Sequence, residues 1–234
     1  MLNEAKKIIP LKDVFSDIHK WSLMQYQAFS YNQNLSTKCL VAFQLYYNTL
    51  ANLGTDRHQH LKDRSTDLED IGCFALTELG HGSNARDIQT TATYDKETKE
   101  FIISSPTQEA MKFWIGGAYK TSNVSAVFAQ LIINGKSYGP HAFVVPIRDS
   151  NTKKILKGVT IGDCGKKSGL DGVDNGFIIF NDCRIPREFL LNRFSDVTED
   201  GSFISDIKNH DKRFGLQLCA LSGGRIQLTI GNQQ

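Results

Sequence analysis

The feature that most constrains this chain is a change of hydrophobic period at Ile71. Before it, Val14, Phe15, Ile18, Trp21 and Leu23 recur near helical spacing, and Leu40, Val41, Phe43, Leu45, Tyr46, Leu50 and Leu53 form a denser set that Gly54 stops. Residues 13–53 therefore read as helical, and Thr55 to Asp70 as a short helix and connector. After Ile71 the apolar runs shorten. TTATY (Thr90 to Tyr94) and FIIS (Phe101 to Ser104) flank DKETKE and predict a hairpin. NVSAVFAQLII predicts a longer strand over 123–133, ended by Asn134-Gly135. AFVVPI (142–147), Val159 to Gly162 and FIIF (177–180) continue the pattern. Short strands separated by turn clusters, with no helical pattern between them, exclude a βαβ array and predict an antiparallel sandwich or barrel. The fold class is thus α+β, with helices first, a β-rich middle, and a new helix beginning in RFGLQLCALSGGRIQLTI after the linker FSDVTEDGSF. In that last helix Ala220, Ser222, Gly223 and Gly224 make a small-residue face, and the chain reads as cut short there.

Composition narrows the class of partner. With 234 residues, 40% apolar and 22% charged, the chain can bury a sizeable core as a soluble globular protein. A net charge of +2, with no Lys/Arg run, argues against nucleic acid or an anionic membrane as partner. No segment approaches the run of about 20 apolar residues that spans a bilayer. Cys39, Cys73, Cys164, Cys183 and Cys219 contain no C-x-x-C pair and read as buried thiols in a reducing compartment. The N-terminus has no secretory h-region, and IGNQQ is not a peroxisomal S-K-L address.

Two stretches stand out. ALTELGHGSN, Ala75 to Asn84, packs a hydroxyl, an acid, glycines, a histidine and an amide at the end of an apolar run. The Thr77 hydroxyl both donates and accepts, and glycines let backbone amides approach a ligand. Such a turn suits a flat heteroaromatic ring rimmed with acceptors, or a phosphate, and equally a plain glycine-rich connection. KFWIGGAYKTSN, Lys112 to Asn123, runs Trp114 into Gly116 and Gly117. That arrangement sets an indole against a ring while backbone closes on the ring's edge, or simply buries a Trp before a turn. His58-x-His60 lacks a completing acid or Cys, so no metal site is predicted. G-H-G-S-N is not a nucleophile elbow, and no G-x-G-x-x-G follows a strand.

Taken together, these stretches resemble the acyl-CoA oxidase family within the wider acyl-CoA dehydrogenase superfamily. CFALTELGHGSN, then TTATYDKETKEFIISSPTQEAMKFWIGGAYKTSN, YGPHAFVVPIRD, GVTIGDCGKKSGLDGVDNGFIIFNDCRIPRE and LLNRFSDVTEDGSF appear in the family's order, from about Gly54 to Ile230. KFWIGG and GKKSGLDGVDNG resemble the branched-chain (pristanoyl) type more than the straight-chain type. The resemblance implies a partial N-terminal helical domain over 1–70, a middle β-domain over 71–196, and a linker with the first helix of a C-terminal helical domain over 197–234.

The resemblance also implies FAD as cofactor, fatty acyl-CoA and dioxygen as reactants, a homodimer in the complete protein, and a peroxisomal location. Carried over residue by residue, Thr77 would bond the flavin's pyrimidine edge, Gly116 with Gly117 would lie near N5, Trp114 would border the ring, and Ser83 would contact the acyl-CoA. The bare Gly116 would leave room for dioxygen. No catalytic residue is assigned, because the family's basic glutamate lies in the C-terminal region beyond this chain, and Glu78 is rejected in that role. The expectation is a chain without turnover of its own that binds FAD weakly. The alternative is a non-catalytic, oxidase-like binding or scaffold protein.

Overall fold

The computed structural model describes residues 11–15 and 17–219; the small-residue face at Ala220, Ser222, Gly223 and Gly224 lies outside them. Helices occupy Leu11–Phe15, Ile18–Tyr31, Gln33–Cys39, Asn48–Leu53, Gln59–Thr66 and, as expected in RFGLQLC, His210–Cys219. Asp17 caps the second by accepting from His19 N at 2.9 Å, and Asn32 caps the third by accepting from Asn34 N at 2.9 Å. Between the third and fourth, Leu40–Tyr47 winds as a π-helix. The 3₁₀ turn Asp56–His58 is fixed by His58, whose Nδ1 accepts from Thr55 N at 3.1 Å. Its Nε2 therefore carries the proton and donates to the Glu188 and Leu190 carbonyls, each at 3.0 Å. That is a structural histidine, not half of a metal pair.

The strands are β1 (Gly72–Ala75), β2 (Thr91–Asp95), β3 (Glu100–Ser104), β4 (Lys112–Ile115), β5 (Val124–Ile133), β6 (Lys136–Pro146), β7 (Val159–Asp163), β8 (Gly176–Phe180), β9 (Cys183–Pro186), β10 (Asp196–Val197) and β11 (Phe203–Ile204). A six-stranded sheet runs β1-β5-β2-β3-β9 with β6 on the far edge of β5, and a three-stranded sheet runs β4-β8-β7. The hairpin predicted around DKETKE is β2–β3. The FSDVTEDGSF linker is not bare chain: β10 and β11 pair across it.

One feature departs from a purely antiparallel sheet. β5 pairs in parallel with β1, from Gly72↔Val124 to Ala75↔Val127, and in parallel with β2, from Thr91↔Gln130 to Thr93↔Ile132. The other edge of β5 is filled by antiparallel β6. β1 and β2 therefore lie end to end along one edge of β5. Alternation along short runs reports which residues face inward but not which neighbour a strand takes, so strand direction was hidden from the sequence.

β5 is apolar almost throughout because both its faces are covered. Val124, Ala126 and Phe128 pack with Tyr46, Leu50 and Leu53 of the helices, whereas Val127, Ala129 and Leu131 face Ile178 and Phe180 of the second sheet. The helices are seated on the sheet by Tyr46, whose fully buried ring lies flat on Gly72; a Cβ built there would come within 2.0 Å of the ring. Gly72→Ala is expected to destabilise the chain by about 3 kcal/mol, since a ring enclosed on all sides cannot swing away. A fall in the urea midpoint with an unchanged slope measures this; an unaltered midpoint refutes the seating role.

Candidate functional site: a cradle at the break between β1 and β2

The site begins where β1 stops. Residues 76–90 leave the sheet between the Ala75↔Val127 and Thr91↔Gln130 pairs. They fold against the segment leading into β4: Leu79 N donates to Met111 O at 2.9 Å, Gly80 N to Glu109 O at 2.9 Å, and Phe113 N to Thr77 O at 3.1 Å. Glu78 and Lys112 stand opposite each other across this annex, and both side chains are wholly buried. Lys112 Nζ donates to Phe128 O at 2.7 Å, Glu78 Oε1 at 3.0 Å and Leu76 O at 3.2 Å. Glu78 also accepts from Gln89 N at 2.7 Å, Thr90 N at 2.9 Å and Thr90 Oγ1 at 2.6 Å, and its Oε2 lies 3.0 Å from His81 Nδ1. Burial lowers the Lys112 ammonium to about 8, against the pull of Glu78. Burial works to raise the Glu78 carboxyl, yet the Lys112 charge and these donors hold it below its ordinary value. A carboxylate so fully engaged has no free oxygen to take a substrate proton.

The second wall comes from β4. Its register against β8 slips between Lys112 and Ile115, and at the bulge Trp114 takes a left-handed φ of 53°. For a bulky residue that is a strained conformation, held here because Asn175 Nδ2 donates to Trp114 O at 2.8 Å. The bulge turns the indole outward, leaving it 64% exposed while Ile115 next door is buried. The chain then turns through Gly116 and Gly117. Gly117 has φ +79°, which favours glycine, and a Cβ there would meet Ser122 Oγ at 2.8 Å.

This turn is clamped by opposite charges. Asp174 accepts from Lys120 N and Thr121 N, each at 2.8 Å, and from Thr121 Oγ1 at 2.7 Å, and pairs with Lys38 at 3.0 Å. Arg148, buried, donates to Ala118 O at 2.8 Å, Ser122 O at 2.7 Å and Tyr119 O. The carboxylate thus holds the turn's N–H groups and the guanidinium its carbonyls.

Thr77, Trp114, Gly116 and Gly117 are therefore brought to one edge of the β-domain. Thr77 lies opposite Phe113, so Gly116 is three residues further on, about 10 Å of extended chain before the bulge shortens it. Thr77 and Gly116 are half-buried, neither sealed under the protein's own atoms, whereas Gly117 is buried. Among the described residues, the Thr77 hydroxyl and the N–H groups of Thr77, Gly116 and Gly117 have no hydrogen-bond partner. Ser83 is exposed on the outgoing loop, where its carbonyl accepts from Ala85 N at 3.0 Å. The open space expected beside Gly116 is not empty: a Cβ there would approach Val41 Cγ2 at 3.0 Å and Val173 Cγ1 at 3.7 Å. Lys112, Asp174 and Arg148 escaped the sequence reading. A lone cation in the apolar run MKFWI facing a lone acid in ALTEL was the available signal for the first.

Residues 73–183 match the model of the acyl-CoA dehydrogenase middle domain. The chain is 47% identical over 199 residues to the peroxisomal acyl-coenzyme A oxidase 3 of Arabidopsis thaliana, covering 85% of this chain and 29% of that protein. It is 45% identical over 199 residues to the peroxisomal acyl-coenzyme A oxidase 3 of Homo sapiens, covering 85% and 28%. Acyl-CoA oxidase 1 of Yarrowia lipolytica superposes with a TM-score of 0.83 at 36% identity over 99% of this chain and 34% of that one. Acyl-CoA oxidase-2 of Caenorhabditis elegans, crystallised with FAD, ascaroside-CoA and ATP, superposes at 0.72 with 39% identity, covering 80% and 27%. The chain thus spans about a third of the length of these relatives.

Asp174 gives the site an acid limit. Burial opposes its charge, but the Thr121 hydroxyl, the Thr121 and Lys120 amides and Lys38 outweigh it and lower the carboxyl from 3.8 to about 2. The unfolded chain then binds more protons than the folded one between those values. The stabilisation is complete above pH 3.8 and is lost as pH falls through about 2. Asp174→Asn is expected to cost about 2 kcal/mol at pH 7 and to flatten the acid limb of the stability curve. Urea titrations from pH 2 to 7 read both, and parallel curves for the two proteins would rule the clamp out.

Proposed function

Because the chain belongs to the acyl-CoA oxidase family, we propose that this cradle is the β-domain half of an FAD site. The protein is read as serving α,β-dehydrogenation of a fatty acyl-CoA, with dioxygen as acceptor, giving trans-2-enoyl-CoA and hydrogen peroxide in peroxisomal β-oxidation. The observation that carries this is the convergence of unpartnered donors, on Thr77, Gly116 and Gly117, with a strained and exposed indole. The donor set fits an isoalloxazine, whose pyrimidine edge and N5 are rimmed with acceptors, while the indole offers a flat apolar border.

When bound, the flavin supplies hydride acceptance from the β-carbon and electron delivery to dioxygen. The chain's own residues do the holding. The Thr77 hydroxyl and N–H would donate to the ring's pyrimidine edge, and the backbone at Gly116 and Gly117 would come close to it with no side chain between. Trp114 keeps water off one border. Asp174 and Arg148 keep the Gly117 turn from rearranging, so these donors are preorganised. Ser83, on the open loop, is read as an acyl-CoA contact. The base is not placed on Glu78. The branched-chain type, like the homodimer, rests on the resemblance alone. That Glu78 is fully engaged is also what favours the second reading, an oxidase-like binding or scaffold protein without turnover.

Titrating the 234-residue chain with FAD is expected to shift and resolve the visible flavin bands, and Thr77→Ala to weaken binding about tenfold, the value of one hydrogen bond. Identical spectra with and without protein would sink the flavin reading. Gly116→Thr is expected to lower affinity through its collision with Val41, and Val41→Ala in the same chain to recover part of it.

A further inference from the structure

We propose that Lys112 is a positioning residue, whose buried ammonium stands in for the missing strand between β1 and β2 and so aims Thr77 into the cradle. The inference rests on the flavin reading above and adds a residue to it. On the open edge of β5, β1 ends at Val127 and β2 begins at Gln130, so Phe128 has no strand beside it there. Its carbonyl is answered instead by Lys112 Nζ at 2.7 Å. The same ammonium holds Leu76 O at 3.2 Å.

That carbonyl shares a peptide plane with the Thr77 N–H. In a trans peptide the two groups point in opposite directions. Gripping Leu76 O from the interior therefore turns the Thr77 N–H outward, to the side on which it has no partner among the described residues. Phe113 N fixes the far side of Thr77 through its carbonyl at 3.1 Å. Thr77 is thereby held on both flanking carbonyls, one by Lys112 and one by its neighbour in β4. Glu78 keeps the ammonium in place.

Hydrocarbons of similar size would fill the same volume and leave no unpaired buried charge, though they leave unanswered the carbonyls and amides that the pair now holds. They have no proton for either carbonyl, which is where positioning and mere filling part. The test replaces both charges, Lys112→Met with Glu78→Leu, because removing one alone leaves an unpaired buried charge and unfolds the site. Thermal melting checks that the double variant folds. FAD affinity of the 234-residue chain is then read from the visible spectrum for wild type, the double variant, Thr77→Ala and all three together.

The double variant is expected to lose about tenfold in affinity, and adding Thr77→Ala to cost less than a further twofold, since a misaimed hydroxyl has little left to lose. Wild-type affinity in the folded double variant, or losses that multiply to a hundredfold, overturns the proposal. A cofactor-free readout separates the two readings. Hydrogen exchange at the Phe113 amide is expected to quicken in the double variant while the β2–β3 hairpin stays protected. If wild type binds no FAD but Phe113 responds in this way, the flavin reading fails and the aiming of Thr77 stands. An unresponsive Phe113 amide defeats the aiming whatever FAD does.

Discussion

Most of what is distinctive here depends on one constraint: a single edge of β5 is shared by two strands laid end to end. A continuous neighbour would satisfy that edge and leave no opening. Two collinear neighbours leave a break, and the chain joining them must leave the sheet and return. Residues 76–90 are that excursion, rooted at both ends in the same strand. The break exposes polar backbone in the interior, which a native protein must satisfy. An ammonium meets that demand with several donors on one atom, but its own burial is tolerable only with a carboxylate beside it and every remaining lone pair engaged. Lys112 and Glu78 meet both conditions.

The other wall solves a related problem differently. At β4 the register slips, and the strain is concentrated in Trp114 at φ 53°. Strain of this kind persists only where the surroundings over-determine it. Asn175 on the Trp114 carbonyl, Asp174 on the amides of the following turn and Arg148 on its carbonyls do so. The Asp174 and Arg148 clamps engage the turn from Ala118 onward, and the amides of Gly116 and Gly117 have no partner among the described residues. A rigid turn with free donors is suited to fixed dipoles aimed at a bound group.

The sequence disclosed the type of each element better than its neighbours. The change of period at Ile71 separated helices from strands, and the DKETKE turn marked β2–β3, because burial alternation and turn chemistry are local. Thr77, Trp114, Gly116 and Gly117 were legible as unusual residues in unusual company, and the structure does bring them to one edge. What sequence withheld was long-range. Parallel pairing of β5 with β1 and β2 leaves no local trace. The partners that hold the site, Lys112 to Phe128 and Arg148 to Ser122, are visible only once strands distant in sequence are adjacent. The sequence marks Leu40–Tyr47 only as helical, because its apolar residues are dense enough to fit either the α or the π winding.

That winding bears on the chemistry. A π-helix advances its side chains by a different angle per residue than an α-helix, so it decides which residue of the segment faces the sheet. Here it delivers Tyr46 onto Gly72 and Val41 against Gly116 in the same turn and a half. The N-terminal helices are thereby part of the cradle. The absence of a side chain at Gly116 has a cause in the packing alone: Val41 and Val173 occupy the direction a Cβ would take. Whatever small molecule approaches Gly116 from that side must pass two isopropyl groups, Val41 from the helical segment and Val173 from the loop before β8. Access on that side is therefore a property of the contact between the helices and the β-domain rather than of the glycine alone.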